Sequence, residues 1–201
     1  MRLARACTIQ TGFTARGRLD PAEHGNILAL QLRDVAANGT INPNNLTRIH
    51  LDPIPEKYLV SAGEVVFRSR SESMSAAVID APLPLPALAV LPLMILRPDT
   101  QVLSGAYLAW AINQAPAQRY LEESAQGTSL RMVSRSSLEN LEIAVPGLET
   151  QERILQIAAL AERERDLAHQ LSLKRHELIR RMLVERASKR TAATRKETTK
   201  K

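Results

Sequence analysis

Between Thr150 and Arg186 the chain runs for 37 residues without a glycine or a proline. That absence, together with recurrent apolar residues three and four apart, predicts one unbroken helix. At 1.5 Å per residue such a helix is about 55 Å long. A compact domain made from the roughly 145 residues before it is only about 40 Å across. The helix therefore calls for a partner beyond its own domain. The alternative is a helix folded back on that domain with a solvated charged face.

The apolar positions indicate the kind of partner. Stepping from Ile157 by three and four gives Leu160, Glu164, Leu167, Leu171, Lys174, Leu178 and Arg181, a heptad seam interrupted by charges. A second stripe, Ile154, Ala158, Ala161, Ala168 and Met182, lies beside it and is small enough for close approach. The seam is also self-complementary. If two copies run antiparallel about residue 169, position i faces position 338 − i. Glu164 then meets Lys174, Leu167 meets Leu171, Leu160 meets Leu178 and Ile157 meets Arg181. An isologous two-fold dimer is what such a pattern favours.

Charge is unevenly spread. Residues 1–145 carry 13 basic and 13 acidic side chains, residues 146–188 carry eight and seven, and residues 189–201 carry six and one. The net charge of +6 thus sits almost wholly in a Thr/Lys/Arg-rich tail with no large apolar residue, expected to be disordered. Such a tail is either a solvated terminus or a nonspecific attractor of phosphate. The single Cys7 excludes an internal disulfide and fits a reducing, cytoplasmic setting. Residues 1–13 lack the apolar run of a signal peptide. The uncharged, apolar stretch 81–96 is broken by four prolines and is too short to span a bilayer, so no membrane association is expected.

The first part of the chain alternates strand-like runs with turn chemistry. Strands are expected at 6–9, 27–30, 65–69, 87–91, 93–97, 130–133 and 141–145, with turns at Asn38-Gly39 and 42–45. A helix is expected from Ser104, its cap, to Ala115, stopped by Pro116, followed by a second over 117–124 and a short turn capped by Ser134. Trp110 is expected in the core. Helices gathered among mostly nonconsecutive strands indicate an α+β fold. The boundaries read as a domain over 1–146, a long helix over 147–188 and a basic tail over 189–201.

No catalytic constellation assembles. A phosphate-binding Gly-rich loop, a dinucleotide turn and a nucleophile elbow are all absent. Asp52-Pro53-Ile54-Pro55 lacks the adjacent prolines and stacking aromatic of an amino-methyltransferase motif and reads as a turn. His24, His50, His169 and His176 form no ligand set with Cys7 or carboxylates, so no metal site is expected. The acidic residues Glu122, Glu123, Glu162 and Glu164 are explained by surface placement on helices.

A family pattern does emerge. Gly127-Thr128, then Val133, Leu138, Leu141, Ile143, Val145-Pro146, Leu148, Gln151 and Ile154, resembles the junction of recognition domain and spacer helix in the specificity subunits of type I restriction-modification systems. Tyr58-Leu59-Val60 before Gly63-Glu64-Val65-Val66-Phe67 is similar to a strand of that family, as are Ile95-Leu96-Arg97-Pro98 with Tyr107-Leu108, and the Gly12-Phe13-Thr14 turn. The likeness covers nearly everything but the tail. Two departures stand out: the family usually carries two recognition domains and two spacer helices, and Glu64 stands where Asp is usual.

The resemblance implies a target-recognition domain followed by a spacer helix pairing as an antiparallel coiled coil. It also implies a noncatalytic role in reading double-stranded DNA and positioning a DNA methyltransferase subunit, with or without a restriction/translocase subunit. S-adenosylmethionine would then be bound only by the methyltransferase, and this chain would hold no cofactor. A homodimer of half-subunits would rebuild the two-domain arrangement, and two identical readers related by a two-fold axis select an interrupted palindrome.

Loop residues able to reach bases or phosphates are Arg16 and Arg18 around Gly17, then Arg68, Ser69 and Arg70 beyond a strand, then Gln126, Thr128, Ser129 and Arg131 around Gly127. Each cluster reads equally as an ordinary solvated loop. Arg97, between a buried-looking strand and Pro98, reads either as a contact or as an ion-pair partner. Three further roles stay open: an adaptor that assembles another defence complex without reading sequence, a cryptic nuclease or transferase, and an inactive remnant of a longer subunit.

Overall fold

The computed structural model describes residues 1–15, 17–70, 74–127 and 131–198, with side chains described as far as residue 187. Its contacts divide into two units, residues 1–155 and residues 156–201.

The first unit is α+β, as expected. Eight strands form two four-stranded sheets: β1 (Cys7–Thr11), β2 (Ile27–Leu30), β3 (Thr47–Ile49), β4 (Leu59–Val60), β5 (Val65–Arg68), β6 (Ala76–Val78), β7 (Ala87–Ala89) and β8 (Leu93–Pro98). One sheet has the order β1-β8-β5-β6 and the other β3-β2-β7-β4. All pairings are antiparallel except β2 with β7. Three helices, α1 (Gly105–Ile112), α2 (Ala115–Ser124) and α3 (Arg135–Asn140), complete the domain, and α4 (Leu148–Thr198) begins in it.

Strand alternation builds the layers. Val65 and Phe67 of β5, with Met94 and Leu96 of β8, face a core closed by Leu108, Ile112, Leu121 and Leu138 of the helices. The intervening Val66, Leu93 and Ile95 face the second sheet, where they meet Leu28, Leu30, Val60, Ala87 and Ala89. The far side of that sheet carries Ile27, Ala29, Ile49 and Leu88, with the buried Val90 and half-buried residues such as Phe13, Leu51 and Tyr58 packed against them. The order is helices, sheet, sheet, loops.

Helix ends follow side-chain chemistry. Ser104 caps α1 by accepting a hydrogen bond from the Tyr107 amide at 3.1 Å. The helix ends at Asn113 rather than at Pro116. The Asn113 amide bonds both backbone groups of Ala76, at 2.8 and 2.9 Å, which takes that residue out of the helix. Pro116 instead opens α2, where its missing N–H costs nothing. The strand expected at 141–145 is reduced to a single bridge between Glu142 and Arg2, and the one at 130–133 to bridges at Met132; Leu130 lies outside the described residues. The short β3 and β6 had no alternation long enough to register.

The start of α4 is pinned within the first unit by Gln151, which is fully buried. Its Oε1 accepts from the Ser104 amide at 3.0 Å, and its Nε2 donates to the carbonyls of Val102 and Pro146 at 2.8 and 2.7 Å. Ile154 and Leu155 pack half-buried against the helical core. Disorder was expected from Lys189; instead the helix continues through Thr198. The added residues include no Gly or Pro and are rich in Ala, Arg, Lys and Glu, so nothing local stops propagation. Fifty-one residues make α4 about 75 Å long.

Candidate nucleic-acid interface

Sheet register brings the loop clusters to one end of the domain. Thr11, the last residue of β1, pairs with Met94 near the start of β8, and Arg68, the last of β5, pairs with Leu93. The loops that follow β1 and β5 therefore leave beside the turn that precedes β8. Gly12 seals this corner: its amide donates to the Leu93 carbonyl at 2.8 Å, and a Cβ there would sit 2.7 Å from that oxygen. Phe13 continues the contact, donating to Ala89 and accepting from Leu91.

Ser69 is the hub of this end. Its amide and hydroxyl both donate to the Pro92 carbonyl, at 3.2 and 2.5 Å, and its own carbonyl accepts from the Val133 amide at 2.8 Å. Through that last bond Val133, with Met132 and Gln126 beside it, joins the patch. Met132 exchanges two backbone hydrogen bonds with Gln126, at 2.9 and 3.0 Å, and bridges Arg70 on its other side. Gly127, at φ +107°, supplies the left-handed backbone that this tight connection needs.

The candidates have different fates. Arg70, Gln126 and Arg131 are exposed and gathered around Met132. Arg18 is largely free of the surface, its side chain 88% exposed and 3.5 Å from Asp20. It borders a groove of about 590 Å³ with Phe13, Leu19, Leu51, Asp52 and Tyr58. Arg68 is half-buried, and its Nε is covered with no hydrogen-bond partner among the described residues. Ser69 corrects an expectation: it is 3% exposed and its hydroxyl is engaged inward, so it holds the loops together and does not point toward a ligand. Arg16, Thr128 and Ser129 lie outside the described residues. Arg97 is a structural ion-pair partner. Its Nε donates to Glu64 at 2.7 Å and its Nη2 to the carbonyls of Lys57 and Leu59. Glu64 also accepts from the Ser61 amide at 3.0 Å.

Two residues at this end were missed. Met132 and Leu91 are 48% and 42% exposed. Alternation outward from the buried Val133 would have found the first; the second sits in a turn that has no sequence period. Lys57, 4.8 Å from the ring centre of Tyr58, adds a further cation near the groove. The shifted titrating groups lie elsewhere: burial pushes the Cys7 thiol up to about 12, and burial also raises Asp34 and Tyr107. Among the described residues no cluster of His, Cys, Asp and Glu could hold a metal ion, and no helix is long and apolar enough to cross a membrane.

In the second unit, every residue of the expected seam is exposed. Ile157, Leu160, Leu167, Leu171 and Leu178 are 49 to 69% accessible. Charged neighbours are paired within the helix: Arg165 with Glu162, and Glu177 with both Lys174 at 3.5 Å and Arg181 at 2.5 Å. His176 bonds the Ser172 carbonyl at 2.8 Å.

No protein-family model and no curated protein matches the sequence. Solved structures do match the fold, among them chains from type I restriction-modification systems. The HsdS subunit of Thermoanaerobacter tengcongensis is 19% identical with a TM-score of 0.59, over 82% of this chain and 37% of that one. The type I S subunit of M. genitalium is 15% identical with a TM-score of 0.53, over 84% of this chain and 40% of the other. A chain from a study of assembly and conformational transition in the type I system is 20% identical with a TM-score of 0.55, over 81% and 37%. What is shared at these identities is the fold: an α+β domain followed by a long helix. This chain spans about two-fifths of the length of those structures.

Proposed function

We propose that this chain is a noncatalytic, sequence-specific reader of double-stranded DNA: a half-length specificity subunit that acts in the cytoplasm as a homodimer and directs a DNA methyltransferase, with or without a restriction/translocase subunit, to a bipartite site. Residues 1–146 form the reading domain and residues 147–188 the pairing helix. The observation that carries this is the convergence of separate loop clusters on one end of the domain, where Arg70, Gln126 and Arg131 surround Met132 and Arg18 stands on a neighbouring loop. Convergent cations position a duplex through its phosphates, while Arg and Gln can also read base edges bidentately.

The exposed seam supports the dimer. In the antiparallel register Leu160, Leu167, Leu171 and Leu178 cover one another, and Glu164 lies opposite Lys174. One heptad beyond the Leu160–Leu178 pair, Arg153 lies opposite Glu185. A two-fold pair of identical readers selects inverted half-sites, so the target is an interrupted palindrome. Base methylation needs a pocket for an extruded base and a methyl donor, both assigned here to the methyltransferase.

The test is co-expression with a type I-like DNA methyltransferase and genome-wide mapping of methyladenine. A palindromic bipartite motif should appear only when this chain is present. A map unchanged by the chain, or binding of the purified complex to duplexes without sequence preference, refutes recognition and favours an adaptor.

A further inference from the structure

We infer that Leu91 and Met132 are the apolar reading elements of this interface, and that they contact the C5-methyl groups of thymines in the major groove of the target half-site. The inference rests on the DNA-reading function proposed above and deepens it. Leu91 and Met132 are 42% and 48% exposed at an end of the domain otherwise marked by Arg18, Arg70, Arg131 and Gln126.

Both are held by the same hub. The carbonyl next to Leu91, that of Pro92, accepts two bonds from Ser69, and the amide next to Met132, that of Val133, donates to Ser69. Leu91 is fixed again by its amide to the Phe13 carbonyl at 3.0 Å, and Met132 by its two bonds to Gln126. Both side chains thus stand on backbone that is hydrogen-bonded to neighbouring segments.

The chemistry of the duplex narrows what they can meet. The most prominent apolar group that base edges present in the major groove is the thymine methyl. Cationic and amide side chains satisfy phosphates and polar edges, whereas a leucine or methionine gains only from an apolar surface that it can dehydrate. Flanked by Arg70 and Arg131, which would hold phosphates on either side, Met132 has the thymine methyl as its matching target.

The experiment uses the full chain in complex with its methyltransferase, and the duplex it selects. Each thymine is replaced in turn by deoxyuridine, which removes the methyl and nothing else. The wild type should lose about three- to five-fold in affinity at one or more thymines, the size that one buried methyl group carries. Met132→Ala or Leu91→Ala should bind the unmodified site more weakly and be indifferent to the methyl at the matching position. Both side chains are exposed, so an unchanged melting temperature shows that the fold is kept; Met132→Gln, of similar length but polar, should fail in the same way. A sequence-specific complex that is indifferent to every thymine methyl, or variants as methyl-sensitive as the wild type, overturns the assignment while leaving recognition intact. Variants that lose the methyltransferase and keep their DNA preference would place the two residues in a protein interface instead. A complex with no sequence preference overturns both.

Discussion

Reversing Glu164 tests the helix pairing and its register at once. Its neighbours three and four residues away, Leu160, Ala161, Leu167 and Ala168, are uncharged, so Glu164→Lys disturbs no ion pair within its own helix. In the antiparallel dimer, two-fold symmetry places Lys174 of the other copy opposite it twice. An exposed opposite-charge pair contributes about 0.5 kcal/mol, and a like-charge pair costs about as much. Each of the two contacts therefore changes by about 1 kcal/mol, and the dimer by about 2 kcal/mol, roughly a 30-fold rise in Kd. Lys174→Glu should weaken the dimer similarly. It also replaces the 3.5 Å contact with Glu177 by a repulsion within the helix. The double variant Glu164→Lys/Lys174→Glu should recover most of the affinity, and 1 M salt should compress the whole series because the Debye length falls to about 3 Å. Sedimentation equilibrium across a concentration series reads all four proteins. A single swap with less than a three-fold effect, or a double variant no tighter than the singles, refutes this register.

Gln151→Leu should destabilise the first unit by about 2 to 4 kcal/mol, since it strips partners from the Ser104 amide and from two carbonyls; urea titration at unchanged m-value would show it. Arg70→Ala and Arg131→Ala should each weaken DNA binding and lower the slope of log K against log salt by about one, measured by titration at several salt concentrations. Cys7 gives a pH signature. Its thiol titrates near 12 when folded and near 9.0 when exposed, so between those values the unfolded chain binds fewer protons. Stability should be fully present below pH 9 and fall above it, by at most about 1.4 kcal/mol per pH unit. The stability difference between the wild type and Cys7→Ala should be constant below pH 9 and change only in that range, and iodoacetamide should label Cys7 only after unfolding.

Long-range order was harder to read from the sequence than local chemistry. The strands at 27–30 and 93–97 and the cap at Ser104 were legible because alternation and hydroxyl caps act within a few residues. β3 and β6, three residues each, carry too short a period to register. The end of α1 was misplaced because Pro116 is a strong local signal, whereas Asn113 is recruited by Ala76, 37 residues away. The loop chemistry at Arg18, Arg68, Arg70, Gln126 and Arg131 is visible in the sequence, but the meeting of Arg70 with Gln126 and Arg131 depends on the β1-β8-β5 register and on the bridges at Met132. For the same reason Ser69 looked like a contact residue and is a buried brace, while Met132 was passed over. The helix of α4 and its heptad spacing are legible because neither needs knowledge of the rest of the fold, and the structure leaves the residues of that seam exposed.

The central claim is that a symmetric pair of these chains reads duplex sequence. Selection from a random duplex library by the complex with its methyltransferase measures this most directly. The selected pool should converge on two identical half-sites in inverted order with one fixed spacing. A pool without enrichment, or one that converges on an asymmetric bipartite sequence, would contradict it.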